Sequence, residues 1–357
     1  MIIFGLDLGN KQTKLYSDKT VEGKVLPSHF LYYDDLGDAQ TSIFGSKLNI
    51  SKYKVPFDEE EYAWGIDLHK VHNNDKLIDT ISFENRYDTD EFKLLANFAL
   101  GELAKDYKDT ATKSILEVSV VTGVPSDDFN ENSVRSIIKV LNGDHTITID
   151  DTSYIVRVAE VQVIPQSIGT VYNELLDKDG YIVEEKESYL EEEITVVDIG
   201  GGTILVDTLK NMNLSSKTQF PTGIYSLYDM IVESAKEKAH GITSYDVEQI
   251  LRDGTDEEGY FYKPNKHVSH DITNNVKRAR SKYTRDLINK ISKTIKSTNS
   301  IDTMLFTGGG ANLIDKEKVL QRYNRAVFVE NSEVANVTGF FKYGKGVMLE
   351  VAASSEE

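Results

Sequence analysis

The chain has 357 residues, 39% of them apolar and 27% charged, a globular composition at a length that favours two domains over one. Its 58 acidic residues outnumber 40 basic ones, and the resulting charge of −18 repels phosphate backbones, which argues against direct wrapping of DNA. The absence of cysteine excludes disulfides and thiolate metal sites and makes a reducing cytoplasm the expected home. No apolar run is long enough for a bilayer, and no basic-then-apolar leader precedes the first strand.

The chain opens on Ile2-Ile3-Phe4-Gly5-Leu6-Asp7-Leu8-Gly9-Asn10, an apolar run closed by an Asp-x-Gly turn, and this predicts a hairpin over residues 1–16. Strand character continues through Val25-Leu26-Pro27. Residues 30–90 mix aromatic and acidic side chains without a clear period and read as an insertion or small subdomain. Helical spacing returns over 90–105, where Phe92, Leu95, Ala96, Ala99, Leu100 and Leu103 share one side. Residues 117–125 predict a buried strand ending in a turn, 129–141 a helix, and 145–164 further strands. Pro165-Gln166-Ser167-Ile168-Gly169 then starts a helix to residue 176, and the acidic stretch 177–193 reads as a loop near the join of two halves.

The second half repeats this logic. Thr195-Val196-Val197-Asp198-Ile199-Gly200-Gly201-Gly202-Thr203 is the opening motif in altered form and predicts a hairpin over 194–209. A helix over 224–240, a charged and glycine-bearing stretch at 252–267 and a long helix over 270–297 follow. Thr303-Met304-Leu305-Phe306-Thr307 is a strand running into Gly308-Gly309-Gly310 and then a helix. Strands and helices alternate throughout, so the fold class is α/β. The basic cluster Lys277-Arg278-Ala279-Arg280-Ser281-Lys282 with Arg285 reads as the solvated face of a helix rather than a nucleic-acid patch. The pairs His69/His72 and His267/His270 have metal-like spacings, but without a third ligand nearby they read as surface or loop residues.

Two strand–Asp-x-Gly–strand hairpins, half a chain apart, suggest two related halves that grip one phosphate-bearing ligand. Their glycines let the backbone turn sharply and let an anion approach the main chain. Neither hairpin is a P-loop, and the triple glycine at 308 lacks the helix-packing glycine of a dinucleotide fingerprint.

The order of these motifs is the informative part. A strand–Asp-x-Gly–strand, a helix-opening Pro-Gln-Ser, a second strand–Asp-x-Gly-Gly and a late strand–Gly-Gly-Gly resemble the actin, Hsp70 and sugar-kinase superfamily. More narrowly, the chain resembles the ParM family of actin-like plasmid-segregation ATPases, in its Gram-positive plasmid branch. The resemblance spans residues 4–345, with its specific part in the nucleotide motifs and the 165–169 turn.

It implies an actin-like (ribonuclease H-like) fold with two related domains flanking a nucleotide cleft. The first domain would comprise 1–178, with a subdomain at 30–90 and completion by a C-terminal helix at 335–357; the second would comprise 179–334, with a subdomain at 220–275. It also implies that Gly9, Asn10, Lys11 and Gln12 offer backbone N–H groups to the β-phosphate and that Lys14 reaches the phosphates as a point charge. Gly200, Gly201, Gly202 and Thr203 would enclose the γ-phosphate, and Asp7 and Asp198 would hold Mg²⁺ mostly through its waters. Gln166 would position the attacking water, where many relatives carry glutamate, so slow turnover is expected. Gly308, Gly309 and Gly310 would lie against the adenosine and α-phosphate, with a following helix N-terminus aimed at negative charge. Glu233 and Lys236 would contact ribose and base, although a surface ion pair explains their spacing equally simply.

The function so implied is a filament-forming ATPase that binds Mg-ATP, or Mg-GTP, between two domains, polymerises, and hydrolyses nucleotide to move plasmids apart. Its partners would be further copies of itself and a centromere-binding adaptor of the ParR type, with plasmid DNA reached only indirectly. The alternative is a small-molecule kinase acting on a sugar or acid, which would want a carboxylate base that the motif positions do not supply. A chaperone-type switch would need a substrate domain for which the short tail leaves no room. Membrane attachment is not expected, since neither terminus reads as an amphipathic helix with apolar and basic faces.

Overall fold

A computed structural model describes residues 1–40, 48–71, 76–81, 85–107, 114–295 and 299–356. The chain divides into two units, one formed by Met1–Glu187 with Val334–Glu357 and the other by Ser188–Glu333.

In the first unit the opening hairpin is β1 (Ile2–Leu8) and β2 (Gln12–Ser17), followed by β3 (Lys24–Pro27). The region expected to be a subdomain contributes β4 (His29–Tyr32), β5 (Ser51–Lys54), β6 (Tyr62–Trp64) and β7 (Ile78–Asp79). Then come α1 (Asp90–Ala104), β8 (Ile115–Val124), α2 (Glu131–Leu141), β9 (Gly143–Ile149), β10 (Thr152–Pro165) and α3 (Gln166–Leu175). All ten strands join one sheet in the order β3-β2-β1-β8-β10-β9-β5-β6-β4-β7. β2 alternates between buried and half-buried residues, as a strand with one covered face does, whereas β1 is buried along almost its whole length.

Phe30, Tyr53, Tyr62 and Trp64 of the stretch 30–90 belong to the core of the sheet. Phe30 meets Phe98 of α1 edge-on at 5.2 Å, and Tyr53, Tyr62 and Trp64 also contact the Phe98 ring. The start of α1 is capped by Thr89, whose Oγ1 accepts the Phe92 N–H at 3.2 Å.

The unit is completed by the helix Ala335–Glu356. Its Val337, Phe340 and Phe341 pack on Ile3 and Val121. It crosses α3 so closely that a Cβ on Gly339 would fall 1.7 Å from the Gly169 carbonyl oxygen, so no side chain fits there. A buried hydrogen bond from the Thr170 hydroxyl to Asn336 pins the crossing.

The second unit contains β11 (Glu193–Ile199), β12 (Ile204–Lys210), β13 (Asn213–Phe220), α4 (Tyr225–Ala235), α5 (Ser244–Asp253), β14 (Phe261–Asn265) and β15 (Val268–Asp271). It continues with α6 (Thr273–Thr294), β16 (Thr303–Thr307), α7 (Lys316–Arg322) and β17 (Ala326–Phe328); the C-terminal helix Ala335–Glu356 is α8. Its main sheet runs β13-β12-β11-β16-β17. The β1–β2 and β11–β12 pairs are antiparallel, while β1–β8–β10 and β11–β16–β17 are parallel. The same five-strand order therefore occurs in both units, which is the repeat that the paired hairpins suggested.

Several elements differ from expectation. The helix expected over 224–240 ends at Ala235, residues 236–243 form turns, and a separate helix, α5, begins at Ser244. That helix is set by a capping box: Thr243 Oγ1 accepts from the Asp246 N–H at 3.2 Å, while the Thr243 N–H donates to Asp246 at 2.8 Å. The charged stretch beyond it forms the β14–β15 hairpin, so α6 begins at Thr273 rather than at 270. The acidic segment 177–193 carries a 3-10 turn, Glu184–Leu190. Residues 296–297 of the expected long helix, His72 and Glu357 lie outside the described residues.

Candidate functional site

Parallel strands place their C-terminal ends along one edge of a sheet, and loops leaving that edge are where α/β folds gather ligand groups. In the first unit, Leu6 of β1 lies beside Thr122 of β8, and Val124 at the end of β8 lies beside Pro165 of β10. The Asp7–Gln12 turn and Gln166, the first residue of α3, thus leave the same sheet edge.

Asp7 is only 2% exposed. Lys14 stands opposite it in the β1–β2 register and donates from Nζ to Asp7 Oδ2 at 3.3 Å. Among the described residues, the N–H groups of Asn10 and Lys11 donate to no backbone carbonyl, whereas the carbonyls of Leu8, Gly9 and Lys11 are occupied. Arg86 donates to the Leu8 oxygen at 2.8 Å and the Gly9 oxygen at 2.9 Å. The Ser28 N–H donates to the Lys11 oxygen at 3.0 Å. With carbonyls pulled one way, the amides face the other, which is the arrangement of an anion nest. Arg86 was not anticipated from sequence, and burial lowers its affinity for its proton from the ordinary guanidinium value. Ser167, beside Gln166, is fully buried, and its hydroxyl oxygen has no hydrogen-bond partner among the described residues.

The second unit repeats the device. Asp198 is 4% exposed and pairs with Thr307 across β11–β16, so the Gly200–Gly202 turn and the Gly308–Gly310 turn leave one edge. The carbonyls of Gly200 and Gly201 accept from the N–H groups of Ile224 and Tyr225 at 2.9 and 3.1 Å. Among the described residues, the amides of Gly201, Gly202 and Thr203 have no backbone acceptor.

Gly308 has φ of 83°, and a Cβ there would fall 2.3 Å from Asp198 Oδ1, so glycine is required both by conformation and by space. Ser332, another residue the sequence did not flag, fixes this turn: its carbonyl accepts the Gly308 N–H at 3.1 Å and its hydroxyl donates to the Gly308 oxygen at 2.9 Å.

Two expectations gain no such support. The triple glycine leads into a 3-10 turn, Gly309–Asn312, and the α-helix starts only at Lys316 behind its own cap Asp315. No α-helix N-terminus therefore sits on the glycines. Glu233 and Lys236 form an exposed ion pair with each other, and Glu233 lies about 12 Å further along α4 than the end that meets the glycine turn. Beside Gly309 the structure instead places Glu333, whose carboxylate accepts from Arg252 at 2.9 Å.

The donor set of each unit fits part of a magnesium–nucleotide complex. Buried carboxylates, one lysine and rows of unspent backbone amides suit a phosphate chain and an ion that keeps most of its water. Among the described residues there is no group of three or more carboxylate or imidazole ligands, so a fully protein-caged metal is not built.

The architecture is that of actin. A model of the N-terminal domain of actin-like proteins matches residues 5–169, and one of the Alp7A C-terminal domain matches residues 193–337. Together the two matches take in most of the chain and make it an actin-like protein, its second part of the Alp7A kind. The ParM protein of pSK41, solved in its apo form, is 24% identical over 98% of this chain and 99% of that one, with a TM-score of 0.75. Alp12, solved as a filament, is 18% identical over 98% and 99% of the two chains, with a TM-score of 0.66. Bacillus thuringiensis ParM, solved with ATP, is 19% identical over 98% and 99%, with a TM-score of 0.70. No curated protein matches the sequence.

Proposed function

We propose that the chain is a nucleotide-driven filament protein of plasmid segregation, which binds Mg-ATP, hydrolyses it slowly, and polymerises with copies of itself in the cytoplasm. The observation that carries this reading is the repeated turn. Each unit presents a buried aspartate followed by backbone amides whose neighbouring carbonyls are already bonded elsewhere. The structures of an actin-like protein as a filament and of a ParM with ATP support it further.

In this reading the amides of Gly9, Asn10, Lys11 and Gln12, with Lys14, bind the β-phosphate. Gly200, Gly201, Gly202 and Thr203 enclose the γ-phosphate, with the amides of Gly201, Gly202 and Thr203 open to bind it and that of Gly200 closing the turn on the Thr203 carbonyl. Gly308, Gly309 and Gly310 border the α-phosphate and nucleoside. Asp7 and Asp198 orient the waters of Mg²⁺, which when bound offsets phosphate charge. Gln166 orients the attacking water without acting as a strong base. An adaptor of the ParR type would link the filament to plasmid DNA, in keeping with a chain too acidic to hold DNA directly. Among the described residues no helix is long and apolar enough to cross a membrane.

Titration of a fluorescent ATP analogue with and without Mg²⁺ tests the site. Saturable, Mg²⁺-dependent binding lost in Asp7→Ala and Asp198→Ala is the expected result, and binding indifferent to both changes contradicts it.

A further inference from the structure

The helix α6 carries seven basic residues against one acid, Asp286, in a chain of net charge −18. Its apolar residues Val276, Ala279, Tyr283, Leu287 and Ile291 are buried in the second unit's core. Arg280 is spent locally, donating to both carboxylate oxygens of Asp256 at 2.9 and 2.8 Å. Arg278, Lys282 and Arg285 are different. They lie at i, i+4 and i+7 on the solvent face, all exposed, and none has an ion-pair or hydrogen-bond partner among the described residues.

An unpaired cationic stripe on a strongly acidic protein attracts another anionic surface, and the chain carries one itself. Glu184, Glu185 and Glu187 on the 3-10 turn, with Glu191 just beyond, are exposed and unpaired among the described residues. The exposed Tyr181 and Ile182 precede them at 57% and 48% exposure. The spacings also agree: i, i+3 on a 3-10 turn and i, i+4 on an α-helix both advance about 6 Å. Glu184 and Glu187 therefore match Arg278 and Lys282 in pitch.

We propose that the Arg278–Lys282–Arg285 face of α6 is a subunit-contact surface that binds the Glu184–Glu191 segment of a second copy of this chain. This rests on the filament reading above. Arginine forks engage carboxylates bidentately, and removing one cationic stripe from repulsion between two acidic molecules lets them approach at one place and in one register. A nucleic-acid strand is the competing occupant, disfavoured by the charge of the whole chain.

The test compares sedimentation with Mg-ATP at low and high salt for four proteins. They are the wild type, R278E/K282E/R285E, E184K/E185K/E187K, and the combination of both sets. Circular dichroism confirms that each is folded, and binding of a duplex DNA is measured in parallel.

Each single set is expected to raise the critical concentration about tenfold, and the combination to restore it to within a few-fold of wild type. High salt should weaken wild-type assembly. Critical concentrations unchanged in the single sets, or no rescue in the folded combination, overturn the contact while leaving the filament reading intact. So does DNA binding that is lost in the basic variant while assembly is untouched. A wild type that never pellets overturns the filament reading and this contact with it.

Discussion

Lys14 Nζ stands 3.3 Å from Asp7 Oδ2, with the lysine side chain 12% exposed and the aspartate 3%. The repeat in the second unit lacks this pair, because the residue opposite Asp198 in the β11–β12 register is Leu205. The two turns share a backbone but differ in charge: the first neutralises its aspartate internally, and the second does not do so from its partner strand.

Lys14→Ala should therefore cost more than a surface lysine. It leaves a buried carboxylate without its cationic partner, a loss of about 2 kcal/mol. Urea unfolding should show that destabilisation, and affinity for the ATP analogue should fall as well. Leu205→Ala, by contrast, should destabilise through lost packing without a comparable effect of charge.

Arg86→Lys is expected to weaken nucleotide binding although Arg86 need not touch the ligand. One ammonium cannot fork to the carbonyls of Leu8 and Gly9 as the guanidinium does, so the turn loses its alignment. A tenfold loss in affinity, about 1.4 kcal/mol, measured by fluorescence titration, is the expected size.

Gly308→Ala should damage the second unit at a single atom. The new methyl group would collide with Asp198 Oδ1 and force an alanine to a positive φ, a combination costing roughly 1–3 kcal/mol. Thermal unfolding should register the loss, with hydrolysis falling alongside it because the carboxylate is pushed aside. For thermal unfolding alone Gly202→Ala is the control, since a Cβ there meets nothing within 4 Å.

His145 makes the first unit sensitive to mild acid. It is buried between Asn97, at 2.9 Å from Nδ1, and the Leu141 carbonyl, at 2.8 Å from Nε2, and burial pushes its pKa below the ordinary 6.5. A base whose folded pKa is depressed contributes stability that is whole above its unfolded value and drains as pH falls through 6.5 toward the folded value. The melting temperature should drop between pH 7 and about 5, before most carboxylates titrate, and His145→Gln should flatten that dependence.

The hairpins, α1 and the order of glycine turns were legible because each is a local pattern: an apolar run, a helical stripe, an Asp-x-Gly. What holds the turns was not. Arg86 reaches Leu8 and Gly9 across 78 and 77 residues, and Ser332 reaches Gly308 across 24, and nothing in either residue's own neighbourhood announces a partner that far away. Residues 30–90 resisted reading because their strands are two to four residues long and find their places only by joining a sheet seeded elsewhere. The α5 helix is the opposite case. Its Thr243-x-x-Asp246 box is a local signal that stands in the sequence itself.

Sedimentation of the wild type beside Asp198→Ala, each with Mg-ATP, Mg-GTP and a non-hydrolysable analogue, tests whether nucleotide held at this site drives assembly. Nucleotide-dependent pelleting of the wild type, loss of both pelleting and phosphate release in the variant, and persistence of wild-type polymer with the analogue are expected. A wild type that stays in the supernatant under every nucleotide at tens of micromolar, or a variant that hydrolyses ATP normally, would contradict nucleotide-driven assembly at this site.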